Sequence, residues 1–166
     1  MAIVEQDRFT AQRLARGVCR ALGALGYAAL TEFPLNSGRR VDVIAVNGAG
    51  ETVIVEIKTS TADYRSDRKW NEYLEFCDAF YFAVPPAFPI ALLPSECGLL
   101  IADDYGAEIL RRPAAQPMNG SRRRAQTLRL ALAAMQRLGR LVDPESGLDS
   151  LRLQKLPWRC RRARRR

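Results

Sequence analysis

Two apolar segments joined by a glycine-rich turn constrain the fold of this chain more than any other feature. Residues 40–46 and 52–58 are almost wholly apolar, and the Asn-Gly-Ala-Gly sequence at 47–50 is a strong turn signal. Continuous apolar runs of this length are typical of strands that are covered on both faces of a sheet. The pattern therefore predicts a buried β-hairpin.

Three charged side chains interrupt the predicted hairpin, and a buried unpaired charge is costly. They are Asp42, Glu56 and Lys58. Because side chains alternate along a strand, Glu56 and Lys58 point to the same face. If residues 47–51 form the loop, Asp42 lies directly opposite Glu56. Two opposed carboxylates repel each other but suit a hard divalent cation, so the pattern indicates a Mg²⁺ or Mn²⁺ site.

The same spacing also permits a purely structural interpretation. Glu56 and Lys58 would then form an exposed pair on an edge strand, and Asp42 would cap a turn. The spacing by itself favours this interpretation, whereas the apolar neighbours and the hairpin setting favour the metal site.

The composition excludes several kinds of catalytic site. The chain has no histidine, which rules out histidine acid–base catalysis, Ser-His and Cys-His nucleophiles, and zinc sites that need imidazole. Its four cysteines form no Cys-x-x-Cys motif, so a zinc ribbon and a thioredoxin-like centre are also excluded. We therefore expect any chemistry to come from carboxylates, lysines, hydroxyls or a bound metal.

Hydrophobic periodicity and turn signals predict elements in the order α-β-β-β-α-β, followed by β-β-α. This order predicts an α/β fold built on a mixed sheet flanked by helices. The predicted elements are a helix over 7–25 that ends at Gly26, strands over 27–33, 40–46 and 52–58, a helix over 66–76, strands over 79–84, 98–102 and 107–110, and a helix over 121–138. The predicted core positions are Phe9, Leu14, Val18, Leu22 and Leu25 in the first helix, and Leu128, Leu132, Met135 and Leu138 in the last, which Ser121 would cap.

Positive charge is concentrated at the end of the chain. Eight of the 26 Lys and Arg residues and none of the 18 acids lie in 152–166, so the rest of the chain is formally neutral. Such a segment suits a polyanion, and the alternative is a solvated end with no specific partner. We expect one domain over 1–142, followed by a linker and a basic, disordered tail over 143–166.

Membrane and secretory segments are not expected. No apolar run approaches the length of about 18 residues that a membrane span needs. The first residues lack the basic region and apolar stretch of a secretory signal. We therefore expect a cytoplasmic protein with no membrane partner.

At the level of motifs, the chain resembles the PD-(D/E)XK nuclease superfamily. The helix, the Val41-Asp42 strand, the hairpin with Glu56-Ile57-Lys58 and the following helix carry this resemblance. The chain more narrowly resembles the MmcB family of bacterial DNA-repair proteins, over roughly residues 5–140. That similarity rests on the segments RRVD at 39–42, VEIKTS at 55–60, DYRSDRKW at 63–70, CDAFYFAVP at 77–85 and GLLIAD at 98–103.

The superfamily resemblance implies specific roles for the hairpin residues. Asp42, Glu56 and the main-chain carbonyl of Ile57 would bind Mg²⁺ or Mn²⁺. Lys58 would orient the attacking water and balance charge on the phosphate. The metal would polarise the phosphodiester and lower the pKa of the water, which replaces the missing histidine.

Many relatives carry a polar residue four positions before a tyrosine in the helix after the lysine strand. Lys69 and Tyr73 have this spacing, which places them on one face of an α-helix. The alternative is that Lys69 is solvated and Tyr73 belongs to the core. Lys69 would join the catalytic group, and Tyr73 would contact DNA.

One departure from the superfamily concerns the first helix, which lacks an acidic residue in its middle. A second metal site is therefore in question. Asp63, Asp67, Asp78 and Asp103 are conceivable replacements, but each fits a helix cap or a turn better.

Further arginines are expected to contact the DNA backbone. They are Arg39 and Arg40 beside the proposed site, and Arg161, Arg162 and Arg164 in the tail. For Arg39 and Arg40, the alternative is a solvated turn.

Three functions remain open from the sequence. The first is a metal-dependent DNA nuclease in DNA repair. The second is a nuclease-fold DNA-binding adaptor that cuts weakly or not at all and recruits other DNA-repair proteins. The third is RNA binding through the arginine-rich tail, with a merely structural core.

Overall fold

Six β-strands form one mixed sheet whose spatial order follows the chain, β1-β2-β3-β4-β5-β6. The computed structural model describes residues 2–66, 69–114 and 116–145. Its elements are α1 (Ala2–Ala24), β1 (Tyr27–Pro34), β2 (Arg40–Asn47), β3 (Thr52–Ile57), α2 (Thr61–Ser66), a 3₁₀ helix (Trp70–Phe76), β4 (Ala79–Val84), a short 3₁₀ turn (Ile90–Leu92), β5 (Gly98–Ala102), β6 (Ala107–Arg111) and α3 (Gly120–Val142). The predicted α/β class is confirmed.

The predicted β-hairpin is also confirmed. Strands β2 and β3 pair antiparallel with Val46 opposite Thr52, and the paired register ends at Val43 and Val55. All six residues of β3 are buried, as expected for a central strand covered on both faces. Strand β3 then pairs parallel with β4, and β4 with β5, whereas β6 returns antiparallel.

Helix α1 covers one face of the sheet. Its buried residues Leu14, Val18 and Leu22 pack in one cluster with alternate residues of β2 and β3. This confirms three predicted core positions, whereas Leu25 is about half exposed and the side chain of Phe9 is outside the described set. The helix ends where predicted, because Gly26 adopts a φ of 85°, which glycine accepts without strain.

A glycine in the middle of α1 permits a close approach to the β5–β6 turn. A Cβ atom added at Gly17 would lie 2.0 Å from the carbonyl oxygen of Asp103 and 2.6 Å from that of Gly106. The same turn accepts side-chain hydrogen bonds from the helix, because Arg13 pairs with the Asp104 carboxylate and Arg20 donates to the Asp104 carbonyl. The helix is therefore fixed against the far strands as well as the near ones.

The predicted helix over 66–76 is wrong. The chain instead forms the short helix α2 and then a 3₁₀ helix that starts at Trp70. Three aromatic residues recur at three-residue spacing, Trp70, Tyr73 and Phe76, and a 3₁₀ helix places such residues on one side. The rings of Trp70 and Tyr73 both stack on Phe80 of β4.

The predicted core face of the last helix is also wrong. Leu128, Leu132, Met135 and Leu138 are between 46% and 69% exposed, whereas Gln126 and Leu130 are buried. Periodicity identifies an apolar stripe but does not show whether another element covers it. The helix cap differs too, since the Asn119 side chain accepts hydrogen bonds from the backbone and hydroxyl of Ser121.

The chain divides into two compact units at Thr127–Leu128. The first contains the whole sheet, α1, α2 and the start of α3. In the second, the structure describes the rest of α3 and a turn up to residue 145. Nearly all of the predicted linker and tail therefore lies outside the described residues, and the predicted domain boundary stays a prediction. None of the described helices is both long and apolar enough to cross a membrane.

Candidate active site

Two carboxylates replace the backbone ladder where β2 and β3 separate. The Asp42 Oδ2 atom accepts a hydrogen bond of 2.8 Å from the Ile57 backbone N–H, and Glu56 Oε1 accepts one of 3.3 Å from the Asp42 backbone N–H. Each acid thus binds the main chain of the opposite strand, just past the last paired residues. The predicted opposition of Asp42 and Glu56 is confirmed in this geometry.

Two charged side chains of the site are buried, and Asp42 is partly buried. Glu56 and Lys58 are each only 4% exposed, so the interpretation of an exposed edge pair is wrong. Burial raises the pKa of the Asp42 carboxyl, and the Glu32 carboxylate adds to this rise, whereas the Ile57 N–H, Lys58 and Arg40 oppose it. A cation near Asp42 therefore stabilises a charge that the surroundings disfavour.

Lys58 is fixed by the sheet. Its backbone N–H donates to the Ala83 carbonyl of β4 at 2.9 Å, which extends the parallel ladder beyond Ile57. Glu56 and Lys58 alternate with Val55 and Ile57, which pack against α1, so the two charged side chains project from the other face. The sequence thus places an acid and a base side by side on a rigid strand.

A cavity of about 640 Å³ opens beside Asp42 and Ile57. Its volume is typical of ligand-binding sites. Both acids and bases line it: Glu32, Asp42, Arg13, Arg16, Arg20 and Arg40. Arg13 and Arg20 also bind the β5–β6 turn, and Arg40 pairs with Glu32. The positive charge of the four guanidinium groups suits a phosphodiester.

Sequence reasoning missed Glu32. The β1–β2 register places it opposite Asp42, at a position where regular pairing is interrupted. Its φ of 52° is unusual for a residue other than glycine, and such strain often accompanies functional sites. Extending the hairpin pairing to β1 across the turn at 35–39 would have found this residue.

Sequence reasoning also missed the arginines of α1. Arg13, Arg16 and Arg20 recur at three- and four-residue spacing, which places them on one side of a helix, and all three line the cavity. The spacing was visible in the sequence, but only the packing of α1 over the sheet shows that this side borders the acids.

The predicted phosphate-binding residues Arg39 and Arg40 form ion pairs in this structure. Arg39 pairs with Glu72 through two guanidinium nitrogens, and Arg40 pairs with Glu32 at 2.6 Å. Arg40 lines the cavity, whereas Arg39 is held against the 3₁₀ helix. The predicted tail contacts Arg161, Arg162 and Arg164 lie outside the described residues.

The predicted pairing of Lys69 and Tyr73 on one helix face is wrong. Lys69 is exposed and immediately precedes the 3₁₀ helix, whereas Tyr73 is only 4% exposed and stacks on Phe80. Tyr73 therefore belongs to the core, the alternative left open by the sequence, and the structure gives no support to its predicted contact with DNA.

The other acids considered as metal ligands have structural partners. Asp63 accepts from the Thr59 backbone, and Asp103 accepts from the backbone of the turn that follows it. Asp78 is bound by Arg123 and two backbone N–H groups. Asp67 lies outside the described residues.

The donor set of the site fits a hard cation. Within 2–66, 69–114 and 116–145, no three acidic or cysteine side chains converge. The available donors are the two carboxylates of Asp42 and Glu56 and the carbonyl of Ile57, all of them oxygen atoms, which Mg²⁺ and Mn²⁺ prefer. The site therefore fits one such ion held partly by substrate or water.

Comparison with known proteins identifies the family. A model of MmcB-like DNA repair proteins matches residues 4–145. The chain belongs to the MmcB-like family. A solved structure of SPO1766, a protein of unknown function from Silicibacter pomeroyi, is 46% identical, with a TM-score of 0.79 over 82% of this chain and 94% of that one. No curated protein gives a significant match.

The MmcB-like match covers the sheet, the cavity and α3, and it ends before the basic segment at 152–166. Membership in a family of DNA repair proteins gives this chain a role in DNA repair.

Proposed function

We propose that this MmcB-like chain is a metal-dependent deoxyribonuclease of the PD-(D/E)XK type that hydrolyses phosphodiester bonds during DNA repair. The observation that carries the proposal is the reciprocal bonding of Asp42 and Glu56 near the buried Lys58, with Asp42 also lining an arginine-rich cavity. Buried charges of this kind cost stability, and catalysis gives a reason for their presence.

Each residue of the site has a role in this reaction. Asp42, Glu56 and the Ile57 carbonyl would hold Mg²⁺ or Mn²⁺, which when bound polarises the phosphoryl group and lowers the pKa of water. Lys58 orients the attacking water and offsets the charge that develops on the phosphate oxygens. Lys69, which is exposed immediately before the 3₁₀ helix, is a further catalytic candidate.

DNA is the proposed partner because the cavity is lined by guanidinium groups. Arg16 and Arg40 lie beside the acids, and their side chains suit the phosphates of a strand that passes Asp42. The basic segment at 152–166 would add affinity that does not depend on sequence and that falls with salt. A cytoplasmic location accords with this function.

A second candidate is a DNA-binding adaptor that keeps this fold but cuts weakly or not at all, and that recruits other DNA-repair proteins. The observation that favours it is that, among the described residues, no group of three or more acidic or cysteine side chains is arranged to hold a metal ion. Both functions predict DNA binding, so a cleavage assay must separate them.

The decisive experiment is cleavage of labelled single-stranded, duplex, nicked and branched DNA with Mg²⁺ or Mn²⁺. We expect cleavage that a chelator stops, and that Glu56→Gln or Lys58→Ala reduces by about 100-fold or more, because both remove charge from the reacting centre. Glu108→Gln changes an exposed acid on β6 and is the matched control, with cleavage unchanged.

Binding of the same substrates in the chelator separates the outcomes. Tight binding by both variants, with cleavage lost, supports the nuclease. Binding without cleavage of any substrate by the unmodified protein would refute the nuclease and leave the adaptor. Cleavage that persists in Glu56→Gln would place the active site elsewhere.

A further inference from the structure

A second cavity, of about 420 Å³, lies apart from the one beside Asp42 and is open to solvent. Its lining is aromatic, aliphatic and cationic, formed by Tyr64 and Arg65 of α2, Trp70 and Leu92. Its volume is within the range of about 300–1,000 Å³ that ligand-binding cavities occupy. Neither the DNA-repair role nor the proposed nuclease chemistry assigns it a ligand.

The two lining rings are held in fixed orientations by the aromatic side chains beneath them. Tyr64 packs edge-on against Phe82 and Phe88, with ring centroids 5.7 Å and 6.4 Å apart. Trp70 stacks on Phe80 at 5.8 Å and contacts Phe82 at 6.2 Å. A planar ligand would therefore meet rings that are already ordered, which lowers the entropic cost of binding.

The aromatic side chains of this cavity pack on the strand that neighbours Glu56. Phe82, which both lining rings contact, is the direct partner of Glu56 in the parallel β3–β4 ladder. Partner residues in neighbouring strands project from the same face of a sheet, and the strands are about 4.8 Å apart. Tyr64 and Trp70 therefore pack on the strand next to Glu56, on the face from which Glu56 projects.

The chemistry of the lining fits a nucleobase. Aromatic rings stack on bases without regard to sequence, and the exposed Arg65 at the rim suits either a base face or a neighbouring phosphate. We propose that this cavity binds one unstacked base of a DNA strand, so the protein prefers DNA that contains unpaired bases over continuous duplex. Bases within a duplex are stacked on each other and do not reach a recessed site unless they are flipped out.

The proposed preference for unpaired bases rests on the proposed nuclease function in one respect, which is the position of the DNA strand near Glu56. Base binding itself is independent of cleavage, and it is measured in the presence of a chelator. The two proposals therefore fail separately: absence of cleavage by the unmodified protein refutes the nuclease, and absence of base-dependent binding refutes the base site.

Tryptophan fluorescence offers a direct test. The chain has two tryptophans, so Trp158→Phe leaves Trp70 as the only one. In this background the probes are a short oligothymidylate, an abasic deoxyribose-phosphate strand of the same length, and a duplex of the same length, at constant salt. We expect the oligothymidylate to quench Trp70 fluorescence and the abasic strand to leave it nearly unchanged, with weaker quenching by the duplex.

A pair of matched substitutions extends the test to affinity. Tyr64→Leu removes a lining ring but keeps an apolar contact with Phe82, and we expect it to weaken oligothymidylate binding by roughly tenfold. Tyr105→Leu removes an exposed ring on the β5–β6 turn, outside the cavity, and should leave affinity unchanged. Arg65→Gln, at an exposed position, serves as a second cavity variant if Tyr64→Leu does not fold.

Three results would overturn the base site. They are quenching of equal size by the abasic strand, absence of quenching by every strand, and equal loss of affinity in Tyr64→Leu and Tyr105→Leu. Absence of quenching by every strand would leave the cavity to another class of ligand, such as an apolar side chain of a protein partner.

Discussion

At each end of strand β3, a carboxylate accepts a hydrogen bond from the strand's backbone. The pKa values of these two carboxyl groups are shifted in opposite directions. At its start, Asp78 accepts a hydrogen bond of 2.7 Å from the Thr52 N–H; at its end, Asp42 accepts one of 2.8 Å from the Ile57 N–H. Burial acts to raise the pKa of both carboxyls. For Asp78, Arg123 and two backbone donors outweigh burial and lower the pKa, whereas for Asp42 burial prevails and the pKa is raised.

The number and charge of the donors explain this difference. Asp78 receives a two-pronged ion pair from Arg123 and the backbone N–H groups of Thr52 and Met118, so its charge is well compensated within the fold. Asp42 shares its surroundings with the carboxylates of Glu32 and Glu56 and lies beside a cavity. A buried acid with a full set of donors holds the fold together, whereas one with too few can use a ligand.

The largest expected effect tests the structural end of this comparison. Asp78→Ala should lower the free energy of unfolding by about 3 kcal/mol, because it leaves Arg123 and two backbone donors without their acceptor. Asp42→Asn should leave the free energy of unfolding unchanged or raise it slightly, because it removes a disfavoured charge. Urea denaturation of both variants at neutral pH measures the difference.

Cleavage assays should rank the same two variants in the opposite order, with the larger loss of activity in Asp42→Asn. Asp42→Asn is expected to abolish cleavage, whereas Asp78→Ala keeps it at temperatures where the variant is folded. If both variants lost stability equally, the distinction between a structural and a functional acid would be wrong.

The hairpin shows how much of the site the sequence determines. The turn at 47–50 fixes the register by its length, and the register brings Asp42 opposite Glu56. The register of the β1–β2 pair would likewise have placed Glu32 opposite Asp42. Arg16 could not be assigned in this way, because its nearness to Asp42 depends on how α1 packs. The 3₁₀ helix is a different case, since its signal of aromatic residues at every third position was present in the sequence but was interpreted with an α-helical period.

The exposed leucines of α3 mark the limit of pattern reasoning. Their periodicity is correct for a helix, and the helix is present, but the apolar stripe that they form is exposed in this structure. Burial depends on the neighbouring element, which local sequence does not encode. The same argument explains why Asp78 could be predicted as a cap or turn residue while its partner Arg123 could not.

An intermediate effect is expected in the pH dependence of stability. Asp78 has a lowered pKa in the folded state, so its stabilising contribution is present above its ordinary pKa of 3.8 and is lost as the pH falls through the lower folded value. Asp42 has a raised folded pKa, so it costs stability at neutral pH, and this cost is relieved as the pH falls from the raised value towards 3.8. The two contributions to stability therefore change with pH in opposite directions and in different windows, that of Asp42 above pH 3.8 and that of Asp78 below it.

Single substitutions separate these two contributions. Asp78→Asn should reduce the loss of stability in acid, whereas Asp42→Asn should remove the partial relief and make that loss steeper. Urea denaturation across a pH series provides the measurement. Curves for the two variants that ran parallel to that of the unmodified protein would contradict the opposite pKa shifts.

The smallest expected effect compares two arginines instead of two acids. Arg123 is bound to Asp78, whereas Arg16 is exposed at the rim of the cavity beside Asp42. Arg16→Gln should leave the free energy of unfolding unchanged and reduce the slope of log affinity for DNA against log salt by about one, the value for one lost phosphate contact. Arg124→Gln, at an exposed position on α3 that does not line the cavity, is the matched control. Equal salt slopes for the two variants would mean that charge at the cavity acts only through the overall electrostatic field of the protein. The arginine-lined cavity would then bind a phosphodiester no more specifically than the rest of the basic surface does.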